Sequence, residues 1–310
     1  MTTPSEVHGV LVVDKAHGPT SHDVVNVARR ALGTRAVGHT GTLDPMATGV
    51  LVLVVGEGTK LVNSLATLAK RYEATVRLGS STVTLDAEGE VDASASVPAF
   101  TRAEVERAAA HFIGEIDQQA PNVSAIKVDG QSLYKRVRRG QTVEAPTRRV
   151  RLDAIEVGDV RADEIDLALT CGSGFYVRSL ARDLAKSLGT LGHLSALRRT
   201  HNGRYPAAHA VTFAQLKAAR DDEEVRAQVR ARVLTLADVC RTLPNLTLDA
   251  EGVAHARCGR LVAHQHVLGA LPAASPEGAG SIVAFDEAGV PVALVELLPE
   301  QLRVLRGFRA

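Results

Sequence analysis

Tryptophan is absent from the 310 residues and aromatics supply only 3% of them, so the core must be built from Val, Leu, Ile and Ala. Each Tyr or Phe therefore draws attention. Cysteine is scarce as well: Cys171, Cys240 and Cys258 are odd in number and widely spaced. That argues against a disulfide framework or a Cys-based zinc site and fits reduced thiols in a cytoplasm. The apolar run "VLVLVVG" is far shorter than the roughly 20 residues of a membrane span, and "MTTPSEVHGVLVVDKAHG" lacks a basic start followed by a long apolar stretch. A soluble, cytoplasmic protein without membrane association is expected.

Hydrophobic residues reach 45% and charged residues 23%, the composition of a folded chain whose length suits two domains. The formal net charge of +1 hides a local asymmetry. Residues 121–151 carry eight basic side chains against two acidic ones, and residues 82–117 carry eight acidic against two basic. A polyanion would be drawn to the first run and repelled by the second, although solvated surface charge accounts for both equally well.

Along the chain, "GVLVVDK" reads as a buried strand, and "SHDVVNVARRAL" as a helix capped by Ser21 and ended by Gly33. "GVLVLVVG" is a second apolar strand, and "RYEATVRLG" alternates as a half-buried one. "TRAEVERAAAHFIG" has Thr101 and Glu104 in capping-box spacing, carries Val105, Ala109 and Phe112 inward and stops at Gly114. "EIDLALTCGSGFYVRSLARDLAKSLG" runs from strand through glycines into a helix bearing Leu180, Leu184 and Leu188. Strands interrupted by few helices, without repeated crossovers, predict an α+β fold with a mixed, mainly antiparallel sheet rather than a doubly wound one. After the Pro-containing connector "CRTLPNLTLDAEG" the pattern changes. Two domains are expected, residues 1–243 and a small β-rich tail, residues 244–310.

"GHTGTLDPMATG", residues 38–49, surrounds the single acid Asp44 with glycines and threonines. Asp before Pro often starts a turn, which is one reading; small residues that let a substrate approach one carboxylate are the other. "GTRAVGHT" has the spacing of a phosphate-binding GxxxxGK[ST] loop, but His39 stands where the Lys belongs and a helix precedes it instead of a strand. Nucleotide hydrolysis is not indicated. Cys171 in "CGSGFY" falls on the inward face of its strand and reads as structural. His17 and His22 lack a third ligand at convincing spacing, so no metal is implied. Tyr134 interleaved with Lys127, Arg138 and Arg139 can hold phosphates and stack a base, or can simply be a helix packing its aromatic.

Together these stretches resemble the TruB-type pseudouridine synthases. "GVLVVDKAHGPTSHDVV", "GHTGTLDPMATGVLVLVVGEGTK", "KRYEATVRLG", "PNVSAIKVDGQSLYKRVRRG", "CGSGFYVRSLARDLA" and "LSALRRTHNGRYP" follow in the family's order over about 200 residues. Ala16 stands where proline is usual and Val83 where an Asp is frequent. The resemblance implies an isomerase of the pseudouridine synthase fold with a PUA-like RNA-binding tail, acting alone as a monomer without cofactor. Its substrate would be the uridine at position 55 in the T loop of tRNA. It also implies roles: Asp44 as nucleophile, Arg178 as its charged partner, and Tyr72 and Leu197 on either side of the extruded uracil. Tyr72 would assist proton transfer, His39 would fill the space the base vacates, and Tyr176 would be a second pocket aromatic. Lys15 and Lys127 would serve as support and phosphate contacts, with Arg138 and Arg139 in the basic segment that meets RNA. A fold-retaining RNA chaperone, or the same chemistry on another RNA, are the competing expectations; the joint presence of Asp44, Tyr72 and Arg178 separates catalysis from binding.

Overall fold

The computed structural model describes residues 7–122, 127–128, 131–132, 145–272 and 281–309. Its main body is an eleven-stranded mixed sheet. The strands that matter for the site are β1 (Gly9–Lys15), β2 (Val37–His39), β3 (Thr48–Val55), β4 (Lys70–Leu78), β5 (Gly114–Gln119), β6 (Thr147–Val160), β7 (Glu164–Cys171), β8 (Gly192–Asn202) and β9 (Val211–Thr212). They lie in the order β9-β1-β3-β8-β4-β7-β6-β5, with β2 added to β3. Only β1 with β9 and β3 with β8 run parallel among these pairs. The predicted α+β class with a mainly antiparallel sheet is thus the observed one.

Among the helices packed on this sheet, α1 (Ser21–Leu32), α2 (Arg102–Ala110) and α3 (Val177–Ser187) matter for the site. The inward residues of β4 and β7, including Ala74, Val76, Leu167 and Leu169, meet Leu180 and Leu184 of α3 in one apolar cluster. Helix α2 has the expected capping box between Thr101 and Glu104 but ends at Ala110. Phe112 and Gly114 lie beyond it, and Gly114, at φ +103°, opens β5 instead. Helix α1 corrects a second expectation. Thr20 is the N-cap, in a reciprocal box with Asp23, and Ser21 is released for another task described below.

The register places four site positions on one transverse row. Lys15 pairs with Gly49, Gly49 with Arg199, and Arg199 with Tyr72, so β1, β3, β8 and β4 deliver them side by side.

The tail forms a separate six-stranded sheet. Its strands are β10 (Asn245–Leu248), β11 (Val262–Ala263), β12 (Val267–Leu268), β13 (Ile282–Phe285), β14 (Pro291–Leu297) and β15 (Gln301–Gly307), beside helix α4 (Ala250–Arg257). The β-rich C-terminal domain expected from sequence is present. Its Val283, Phe285, Leu294 and Phe308 join one apolar cluster with Val10, Val12, Val50, Val52 and Val54 on the outer face of the main sheet, together with Leu61, Leu65, Val239 and Leu243. Lys60 Nζ donates to Gly307 O at 2.6 Å and the Arg309 amide to Glu57 Oε2 at 2.8 Å, closing that seam.

The charge runs sort differently from expectation. Because β5 and β6 are neighbours, Arg149 lies 3.4 Å from Glu115 and 3.3 Å from Asp117, so part of the basic run is neutralised by the acidic one. No helix among the described residues is long and apolar enough to cross a membrane.

Candidate active site

The loop between β2 and β3 carries Asp44, and a short turn shapes it, the Ala47 amide donating to Asp44 O at 3.1 Å. Three side chains from elsewhere hold that loop. Ser21 bonds Leu43 reciprocally, accepting from its amide at 2.8 Å and donating to its carbonyl at 3.0 Å. Lys15 Nζ donates to Pro45 O at 3.1 Å and to Ala16 O at 2.9 Å. Arg199, 1% exposed, donates to Gly41 O at 3.0 Å and Val50 O at 2.6 Å, spanning the loop from one end to the other.

Strand pairing beneath the loop explains one of the small residues around Asp44. Gly49 sits at φ +99°, and a Cβ there would stand 2.2 Å from Arg199 O. A Cβ on Gly41 would reach 3.7 Å from Arg199 Nη1 and 3.8 Å from Lys70 Cε. Gly49 therefore admits the backbone of β8, whereas a side chain at Gly41 would make only ordinary contacts.

From the opposite wall, the start of α3 delivers Arg178. Its Nη2 donates to Asp44 Oδ1 at 3.2 Å, and its Nε lies 2.9 Å from Asp44 Oδ2, a close ion pair whose angle falls short of a hydrogen bond. Arg178 Nη1 donates to Thr84 O at 2.7 Å and faces Asp86 Oδ2 at 3.5 Å. One side of the guanidinium thus meets Asp44 and the other is fixed. Asp86 is itself oriented by the Thr84 hydroxyl and the Glu88 amide, which donate to its Oδ1 at 2.5 and 3.1 Å. Asp86 and Arg199 were not singled out in the sequence. Asp86 sits in the acidic run that read as solvated surface, and Arg199 is one of several arginines in "LRRTHNGR".

Asp44 and Arg178 line a cleft of about 340 Å³ together with Lys70, Tyr72, Tyr176, Leu197 and Arg199, a size suited to one small ligand or base. Tyr72 is half-buried, and burial pushes its phenol above the ordinary value, against the opposing pull of Arg199, whose Nη1 lies 3.4 Å from the hydroxyl. Leu197 is buried on β8. Tyr176 is the residue before α3, and its backbone is held at both polar atoms by the Gln118 side chain, at 2.8 and 3.1 Å.

Burial lowers Lys15 to about 8, opposed by Glu88 and Asp44, and lowers Lys70 to about 8 with help from Arg199. Lys15 is fully buried, which fits support of the loop and leaves no exposed ammonium for a phosphate. His39 ends β2, half-buried, with Nδ1 buried and unpartnered. Burial first, then Arg199 and His22, push it below the ordinary value, so the ring is neutral at pH 7. It is not among the cleft-lining residues but precedes Thr40, which is. Cys171 is buried and its thiol is pushed up to about 12 by burial, as a structural cysteine should be. Lys127 lies in a two-residue strand, 127–128, paired with 131–132, and its side chain is outside the described residues, as are Tyr134, Arg138 and Arg139. Among the described residues no group of three or more His, Cys, Asp or Glu side chains could hold a metal.

The structure therefore brings Asp44, Arg178, Tyr72, Tyr176 and Leu197 into one cleft, with Lys15 beneath it and His39 beside it. A single carboxylate, flanked by a fixed guanidinium and opposed by an aromatic and an aliphatic wall, can act as a nucleophile on a planar heterocyclic substrate held between those walls.

Two family models match the chain. One described as TruB family pseudouridylate synthase (N terminal domain) covers residues 29–177, and one described as tRNA pseudouridylate synthase B C-terminal domain covers residues 178–239. Asp44 falls in the first and Arg178 in the second, so the cleft is built from both. A protein from Arthrobacter sp. (strain FB24) named tRNA pseudouridine synthase B is 44% identical over 285 residues, 90% of each chain. One of the same name from Mycobacteroides abscessus is 41% identical over 308 residues, 97% of this chain and all of that one. Among solved structures, a chain from a Cbf5-Nop10-Gar1 complex superposes with a TM-score of 0.75 at 22% identity, covering all of this chain and 90% of that one, a likeness of fold.

Proposed function

The chain belongs to the TruB family of pseudouridylate synthases, and from that premise we propose that it isomerises the uridine at position 55 in the T loop of tRNA, with Asp44 as nucleophile. The observation that carries this reading is the Asp44–Arg178 pair, with Nε to Oδ2 at 2.9 Å, inside a cleft walled by Tyr72 and Leu197. A stacked uridine cannot reach that carboxylate, so the nucleotide must swing out of the RNA, at a cost of a few kcal/mol.

In the isomerisation, the bond between uracil N1 and ribose C1′ breaks, the base turns, and a bond from C5 to C1′ forms. C5 gives up its proton and N1 gains one, so nothing enters or leaves overall. Asp44 attacks the uracil ring or the ribose C1′, and the bond it forms breaks again as C5 joins C1′, so that the carboxylate is regenerated. Arg178, locked by Thr84 and Asp86, holds that carboxylate aimed. Tyr72 and Leu197 hold the base from both faces while it turns. As a neutral phenol beside Arg199, Tyr72 also serves proton transfer within the cleft. His39, uncharged, is suited to stack in the space the base leaves. The sheet of residues 244–310 is read as a PUA-like RNA-binding module.

The test is to incubate the pure protein with a tRNA transcript and map pseudouridine. Modification is expected at uridine 55 and nowhere else, and Asp44→Asn is expected to bind the transcript but leave it unmodified. Pseudouridine only at other positions, or substantial turnover by Asp44→Asn, would refute the assignment.

A further inference from the structure

We propose that Arg29, Arg30 and Arg35 form a second binding site, a phosphate-holding cleft that grips the RNA backbone at a distance from the reacting uridine. The inference rests on the reading of this protein as an RNA-modifying enzyme and extends it to a surface remote from the catalytic cleft.

The three arginines line an open cleft of about 660 Å³ at the end of α1, together with Asn26, Gly33 and Thr34. No carboxylate lines it. Many arginines of this protein are in ion pairs, including Arg77, Arg102, Arg161, Arg220 and Arg241. Arg30 and Arg35, both exposed, are in none among the described residues. Arg29 is the fixed member: its Nη1 donates to Asn26 Oδ1 at 3.2 Å and its Nη2 to Val37 O at 3.1 Å. Two exposed guanidinium groups outside any ion pair, beside one preorganised one and with no competing acid, match the forked donor geometry that holds phosphate oxygens.

The helix dipole favours positive charge at the end of α1, and that alone accounts for one or two of these residues. It does not call for a third beyond the helix. The closing carbonyl is also already served: the amides of Gly33 and Thr34 both donate to Arg29 O.

The placement relative to the catalytic cleft gives the site its purpose. Ser21, at the start of α1, bonds Leu43, the residue before Asp44. The helix has 12 residues, so its far end lies about 18 Å away at ~1.5 Å per residue. His22, Asn26, Arg29 and Gly33 recur at helical spacing along one stripe. Helix α1 thus runs from the loop of Asp44 to the three arginines. An RNA with one nucleotide turned into the catalytic cleft would lay flanking phosphates along it.

The test is the salt dependence of tRNA binding, followed by fluorescence anisotropy of a labelled transcript from 50 to 300 mM KCl. Two double variants are compared with the wild type, one with Arg30→Glu and Arg35→Glu, the other with Arg30→Gln and Arg35→Gln. Each lost phosphate contact removes roughly 0.7–0.9 from the slope of log Kd against log salt, so both variants should lose about 1 to 2. Affinity at 100 mM KCl should fall about tenfold or more for Glu and by less for Gln. Unchanged slopes in variants that melt like the wild type would overturn the proposal. Pseudouridine mapping on the wild type reads the catalytic assignment separately, so either reading can fail alone.

Discussion

Arg178 and Asp86 face each other at 3.5 Å, with side-chain exposures of 5% and 6%, on the far side of the guanidinium from Asp44. Removing a charge from a buried pair leaves its partner uncompensated, at a typical cost of 3–5 kcal/mol. Here Asp44 shares the compensation, so part of the loss should appear as misalignment of Arg178. Asp86→Asn is expected to lower the melting temperature and reduce pseudouridine formation by about tenfold or more, while tRNA affinity changes little. Wild-type turnover and melting in that variant would show that Asp86 does not position Arg178.

Thr20 and Ser21 are adjacent hydroxyls with different work. Thr20 caps α1, and Thr20→Ala should cost about 1 kcal/mol of stability with turnover nearly unchanged. Ser21 makes both a donor and an acceptor bond to Leu43, beside Asp44. Ser21→Ala should cost about 1–3 kcal/mol and also slow turnover, because two buried backbone groups lose their partner and the loop loosens. Urea unfolding and single-turnover assays separate the two. Equal effects on turnover would count against the division.

Lys70 provides a pH test. Burial lowers it to about 8 from its ordinary value of 10.5. Between those values the unfolded chain holds a proton that the folded chain has released, so this group's contribution to stability rises with pH across the window. Below pH 8 the charged form is buried at a cost. The whole swing is roughly 3 kcal/mol at ~1.4 kcal/mol per unit. Cys171, pushed up to about 12, acts oppositely once the unfolded thiol ionises above pH 9. The comparison must therefore be with Lys70→Met: urea unfolding at pH 7.5 and pH 10 should show the wild type gaining on the variant by about 1–3 kcal/mol. A difference independent of pH would mean that Lys70 keeps its proton.

Local features were legible in the sequence because they are local. The alternation of "RYEATVRLG" gave β4, the Thr101 and Glu104 spacing gave the cap of α2, and the Gly-rich turn before Val177 marked where β7 yields to α3. Asp44, Arg178, Tyr72, Tyr176 and Leu197 were identified by resemblance and do share one cleft. What could not be read depends on register. Nothing near Arg199 signals that it will lie opposite Gly49 and Tyr72, since that pairing joins β3, β8 and β4 across more than a hundred residues. Asp86 looked like one more surface acid because its burial comes from Arg178 and from β8, where the Ala87 amide donates to Leu194 O. The Thr20 and Ser21 exchange reflects two neighbouring hydroxyls, each able to cap, with the choice made by a loop some twenty residues on.

The valines that line the back of the main sheet are sealed in one apolar cluster with Leu61, Leu65, Val239 and Leu243 and with residues of the tail. Neither sheet is therefore a thermodynamic unit by itself, and heat should dissolve both in one event.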